Sequence, residues 1–236
     1  MVDPPRAESP RGDLLRRWVL ANALGEFVGL GGVALLAAAL VPPLQRALPG
    51  TVAARLATAL LMMALGALEG WVVGSAQARA LAPGPIDRSA WVRATVLGAV
   101  LAWAVGMVPS TVLALRHVPG GAAPGGPPPG LRLALAAGLG LVAGPILAAV
   151  QVRVLRPHVS RPAGWWLVAC ALGWALGMPC VFAAVHLLVR NGVRPWSLVG
   201  AAVALGGAGA LVGLVEGLFL VRLLGPRGAA RTAPEI

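Results

Sequence analysis

The chain has 236 residues, 58% of them hydrophobic and 11% charged, with a mean hydropathy of +0.82 and a formal net charge of +11. A soluble domain carries about 25% charged residues, so this composition excludes an ordinary soluble fold and points to lipid as the solvent for most of the surface. All nineteen basic side chains are Arg, and they gather at the ends of apolar runs rather than on a soluble basic face, which argues for headgroups and against nucleic acid as the partner of this charge.

Six apolar runs reach the length of about 20 residues needed to cross a bilayer. The first, Trp18–Val41, follows a polar segment containing Arg6, Arg11, Arg16 and Arg17. It is too long for the core of a cleavable signal peptide, so residues 1–17 are expected to be a cytoplasmic tail and Trp18–Val41 an uncleaved first helix. Val52–Ala78 and Trp91–Leu115 follow, and Pro119–Gly130 reads as an uncharged Pro/Gly/Ala loop. Then come Leu131–Leu155, Trp165–Val189 and Trp196–Leu224, before a cytoplasmic tail over 225–236. The expected fold is therefore an all-α integral membrane domain of six transmembrane helices over residues 18–224.

Orientation follows from the Arg count. Thirteen Arg lie on the side of the N-terminus, the second and fourth loops and the C-terminus, and six on the other, which predicts both termini in the cytoplasm. Trp18, Trp91, Trp165 and Trp166 fall at the cytoplasmic helix starts, as an interfacial aromatic belt would. Abundant Ala, Gly, Pro and Arg with no Lys or Tyr fit a high-GC bacterial genome, and hence the bacterial inner membrane.

The apolar segments repeat as hairpins. Trp18-Val-Leu-Ala-Asn-Ala-Leu-Gly25, Trp91-Val-Arg-Ala-Thr-Val-Leu-Gly98 and Trp166-Leu-Val-Ala-Cys-Ala-Leu-Gly173 align, with spacings of 73 and 75 residues between their Trp. In the even helices Gly66, Gly70 and Gly74 correspond to Gly140, Gly144 and Ala148, and to Gly209, Gly213 and Gly217. Gln77 and Arg79 correspond to Gln151 and Arg153, where the third copy has Leu220 and Arg222. Three parallel two-helix units are expected, over about 18–88, 89–161 and 162–224, around a pseudo-threefold axis. Small residues four apart make flat stripes that let backbones approach, so the even helices are expected to form the tight inner contacts. Pro109, Pro145 and Pro179 are expected to interrupt their helices.

Intramembrane acids are costly and functional by default. Glu26, Glu69 and Glu216 are the candidates. Glu69 and Glu216 fall one turn apart on one face in repeat register, so the carboxyls are expected to converge in a half-membrane cavity open to the cytoplasm. Gln77, Arg79, Gln151 and Arg153 are membrane-boundary polar candidates, expected chiefly in helix-end hydrogen bonds within the repeat, with the next unit's Trp or a lipid headgroup as alternatives. Asn22, Thr95 and Cys170 share one repeat position and read as small packing residues. Cys170 and Cys180, about 15 Å apart along one helix, cannot bridge each other. His117, His158 and His186 have no ligand spacing, so no metal or cofactor is expected. No nucleophile elbow, H-E-x-x-H or phosphate loop occurs, so no enzyme is expected.

The G-x3-G-x6-Q-x-R-x-L helix followed by W-V-x-A-T-x-L-G resembles a diffuse group of uncharacterised bacterial multi-pass proteins, over about Trp18 to Arg222; the resemblance implies no activity. Mitochondrial carriers also use a two-helix unit three times, but their P-x-[DE]-x-x-[KR] bend signature is absent. The leading functional expectation is a structural, accessory or complex-forming membrane protein, with a protein partner or its own copies beside the bilayer. The alternatives are a small transporter or channel using the glutamates, and a lipid-binding or lipid-handling protein using the Arg rim and the two Gln.

Overall fold

The computed structural model describes residues 10–82, 84–116, 127–192 and 194–225. His117, most of the Pro119–Gly130 loop and the outer parts of both tails lie outside the described residues. The described chain contains six long helices: α1 Pro10–Ala47, α2 Val52–Ala80, α3 Arg88–Arg116, α4 Pro129–Leu155, α5 Trp165–Asn191 and α6 Pro195–Leu223. All six are long and apolar enough to cross a membrane; at 1.5 Å per residue the 29 residues of α2 rise about 43 Å, against a hydrocarbon core of about 30 Å. The chain is a multi-pass membrane protein.

Local chemistry sets the helix ends. The Thr51 hydroxyl accepts from the Ala54 amide at 3.1 Å and starts α2. Asp87 Oδ1 accepts from the Ala90 amide at 2.6 Å and from the Ser89 hydroxyl at 2.7 Å, and starts α3. Gly192, at φ +68°, supplies the left-handed residue that ends α5, and the Ser197 hydroxyl closes the turn into α6 by donating to Gly192 O at 2.6 Å. Pro42, Pro43, Pro145 and Pro179 lie inside helices, and α3 runs through Pro109. The expected interruptions at Pro109, Pro145 and Pro179 are therefore absent: between packed helices, local adjustment accommodates Pro without ending the helix.

The Ser89 hydroxyl and the Ala90 amide, with the nearby Arg93 charge, hold the exposed Asp87 carboxyl below the usual carboxylate range. A carboxyl depressed on folding stabilises fully above its unfolded value of about 3.9, and that contribution is lost as pH falls through the folded value. Asp87→Ala is expected to lower the melting temperature at neutral pH, with the difference from wild type shrinking below about pH 3.9. Thermal melts of both proteins across pH check it; a difference that persists undiminished in acid would refute the assignment.

Each helix packs on its neighbours in the chain, and α6 packs on α1, closing a ring. The outward faces carry the large apolar side chains a lipid surface needs, including Val189 at 77%, Val203 at 70% and Leu35 at 69% exposed. The glycine stripes do not bring the even helices together. Each stripe instead seats the following odd helix: Gly70 and Gly74 lie against Thr95 and Ala99, Gly140 and Gly144 against the Trp174 and Cys170 backbones, and Gly209 and Gly213 against Asn22. The remaining stripe ends follow suit, Gly66 under the Trp103 ring and Gly217 under Trp18. In a ring every helix has two neighbours, so a flat stripe serves one seam and a second face must serve the other.

Candidate functional site

The ring is closed at one end by three indoles. Trp18, Trp91 and Trp166 are fully buried, with centroids 5.9, 5.9 and 6.1 Å apart in edge-to-face contact. Such pairs contribute about 0.5–1.5 kcal/mol each beyond their burial. These three are therefore not an interfacial belt; of the four Trp so read, Trp165 alone points outward, at 53% exposed. Leu155, Leu220, Leu223, Leu81 and Ile86 belong to the same buried apolar cluster. Arg17 donates to Ala82 O at 2.8 Å, and Ser160 to Leu223 O at 3.1 Å, tying the loops across this end.

Gln77 and Gln151 join the indoles to the helices. Trp91 Nε1 donates to Gln77 Oε1 at 3.1 Å, while Gln77 Nε2 donates to Asn22 Oδ1 at 2.9 Å. Trp166 Nε1 donates to Gln151 Oε1 at 2.9 Å, while Gln151 Nε2 donates to the Thr95 hydroxyl at 3.0 Å. Asn22 and Thr95 in turn donate to Trp18 O and Trp91 O. Both Gln thus accept from the Trp of the following odd helix, the alternative to the helix-end bonding expected of them, and both are buried. Arg79 and Arg153 point outward and are exposed, because two residues along a helix turn about 200°. At the seam between α6 and α1, Leu220 stands where the other seams have Gln, Cys170 on α5 holds the position of Asn22 and Thr95, and Trp18 Nε1, close to Glu216, falls outside hydrogen-bond geometry. Asn22 and Thr95, read from sequence as small packing residues, are hydrogen-bonding members of this layer.

The three glutamates converge. Glu26 on α1, Glu69 on α2 and Glu216 on α6 are all buried and line one internal cavity of about 20 Å³, together with Asn22, Gln77 and Thr95. Trp103 Nε1 donates to Glu69 Oε2 at 2.6 Å. Glu26 lies beside Glu69, with Glu216 also near it, and Glu216 lies beside Cys170 and the Trp18 ring. Glu26 Oε2 is buried without a hydrogen-bond partner. No lining residue is basic. Glu26 follows Trp18, and Glu69 precedes Gln77, by eight residues, which sets them about 12 Å inward from the indole layer.

The expected opening toward the Trp end is absent, because the indoles fill it. A larger recess of about 370 Å³ lies at the opposite end, lined by Gln45, Thr51, Arg55, Thr58, Met107 and Thr111. Met107 and Thr111 follow Trp103 by one and two turns on α3, and Thr58 precedes Glu69 by three turns on α2, so one seam connects the recess with the carboxyls. His158 and His186 do not join the cluster, and among the described residues no three His, Cys, Asp or Glu are placed to hold a metal ion.

Sequence register anticipates the meeting of the glutamates. It misses the Trp103 bond to Glu69 and the stacking of the three indoles; the shared Trp-to-Gly spacing of the odd helices is the available signal for the latter. No family model matches the chain, and neither a curated protein nor a solved structure matches it.

Proposed function

We propose that this chain is a small transporter or channel that moves protons or small cations across the bacterial inner membrane through its carboxyl cluster. One observation carries this reading: three buried carboxyls from three helices face one small cavity without a basic partner. Burying a carboxylate in that setting costs several kcal/mol unless a proton or cation accompanies it. A bundle needing only stability gains nothing from three such groups.

The repeat supports an architecture for this activity. Equivalent Gln–Trp bonds at two seams and the triangle of equivalent indoles fit three parallel hairpins about a pseudo-threefold axis. The Arg excess then puts the indole plug and both termini on the cytoplasmic side, with the 370 Å³ recess facing out. In this reading the structure is a state closed on the cytoplasmic side.

The reading tests directly in liposomes holding the purified protein and a pH- or sodium-sensitive dye, under an imposed membrane potential. Wild type is expected to carry current above empty vesicles, and Glu69→Gln to reduce it to that background. Flux retained by Glu69→Gln would remove the cluster from the pathway. A second reading, a rigid structural or complex-forming subunit, draws on the tight glycine seams and the small cavity. A wild-type protein without flux that co-purifies with a stoichiometric partner would favour it. The lipid-handling reading keeps only the outward Arg79 and Arg153, since both Gln turn inward.

A further inference from the structure

We propose that the ion bound by this cluster is the proton, held on Glu26 and relayed to Glu216 through one water, and not a metal cation. The inference rests on the reading of the carboxyl cluster as an ion site and names its ligand.

Three observations carry it. The first is size. A cavity needs about 10–15 Å³ to hold one water, and this one measures about 20 Å³. It admits one water and excludes a hydrated ion.

The second is the donor set. Metal cations in membrane sites replace their hydration shell with several oxygens, commonly carbonyls freed where a helix unwinds. Here α1, α2 and α6 run unbroken past all three glutamates, so their carbonyls stay in the helices. Gln77 and Asn22 are occupied with each other, with the Trp91 indole and with Trp18 O, and Thr95 with Gln151 and Trp91 O. One oxygen of Glu69, Oε2, is occupied by Trp103, and the carboxyl lies against that of Glu26. Among the fully buried side-chain oxygens of the described residues, Glu26 Oε2 is without a hydrogen-bond partner. Carboxyl oxygens alone, with no freed backbone carbonyl beside them, suit an O–H bond and fall short of a metal's coordination shell.

The third is the company of Glu26. The helices packed against α1 present Glu69 from α2 and Glu216 from α6, with the Cys170 thiol of α5 beside Glu216. No Arg or His lines the cavity. Neighbouring carboxyls with no cation between them are joined by a shared proton. Relay then needs no co-reactant. The O–H bond of Glu26 breaks as the proton passes to the water, and an O–H bond of that water breaks as a proton passes to the Glu216 carboxylate.

The test reads the carboxyls, independently of flux. Infrared difference spectra of the full-length protein in lipid, taken between acidic and alkaline buffer, are expected to contain a band from buried protonated carboxyls. Glu26→Gln should lose a component of that band, and Glu26→Asp, which keeps a carboxyl on a shorter arm, should shift it. Exchanging choline chloride for sodium or potassium chloride at fixed pH should leave it unchanged. A band displaced by sodium or potassium, or one indifferent to both Glu26 substitutions, would overturn the proposal. If the band behaves as expected while the liposomes carry no flux, the proton site stands and the transport reading falls.

Discussion

Replacing Gly140 with alanine is expected to destabilise the protein by about 3 kcal/mol, the upper part of the range for overpacking a close-packed interior. A Cβ on Gly140 would run into the carbonyl oxygen of Trp174, with the Trp174 carbonyl carbon at 2.5 Å and the Ala175 amide nitrogen at 2.9 Å. All three atoms are backbone, so no side chain can rotate away, and α4 and α5 must separate. Ordinary contact between carbon atoms is about 3.5–4.0 Å, so the shift approaches 1 Å and loosens the length of the seam. Gly138, two residues earlier, has nothing within 4 Å of its Cβ position. Gly138→Ala is therefore expected to stay within about 0.5 kcal/mol of wild type. Thermal or chemical unfolding in a single detergent compares the pair; helix propensity favours alanine at both positions, so similar losses for both would mean that the close approach of the α5 backbone does not set the effect.

The contrast between those glycines marks the limit of what the sequence reveals. Spacing of four identifies Gly140, Gly144 and their counterparts as a stripe, but a stripe does not name its partner. In water, an amphipathic pattern tells each helix which face to bury. In lipid both faces are apolar and that signal disappears. Spacing alone therefore has the even helices meeting one another, whereas each seats the next odd helix. The six helices themselves are legible because length and hydropathy alone decide them. Their ends differ by a few residues, most at α1, which begins at Pro10 and not at Trp18.

The indoles illustrate the same point from the other side. Trp near a helix end fits an interfacial belt by position, and Trp165 does lie outward. Trp18, Trp91 and Trp166 occupy the same height but turn inward, because Gln77 and Gln151 offer buried acceptors for two of their N–H groups. Height along the membrane is written in the sequence; azimuth depends on who bonds to whom. The glutamates are easier to place, since the cost of a carboxylate facing lipid permits one direction only.

The α6–α1 seam breaks the pattern, and this makes it the place where the layer can be repaired. Leu220→Gln is expected to raise stability by about 1 kcal/mol, the net worth of one hydrogen bond, by giving Trp18 Nε1 the acceptor that Trp91 and Trp166 already have. Cys170 lies where Thr95 receives the Gln151 amide, and a thiol is a weak acceptor. The double variant Leu220→Gln with Cys170→Thr should therefore gain more than Leu220→Gln alone. The reverse change, Gln151→Leu, leaves the buried Trp166 Nε1 without its partner and is expected to lose about 1–3 kcal/mol. Unfolding of the single and double variants, combined as a double-mutant cycle, separates the coupling between the Leu220→Gln and Cys170→Thr substitutions from their individual effects. A positive coupling with Gln151→Leu destabilised would establish the three seams as versions of one hydrogen-bonded joint. A destabilised Leu220→Gln that Cys170→Thr does not rescue would mean that the third seam is built on a different plan, with Glu216 and the Trp18 ring already satisfying each other's needs.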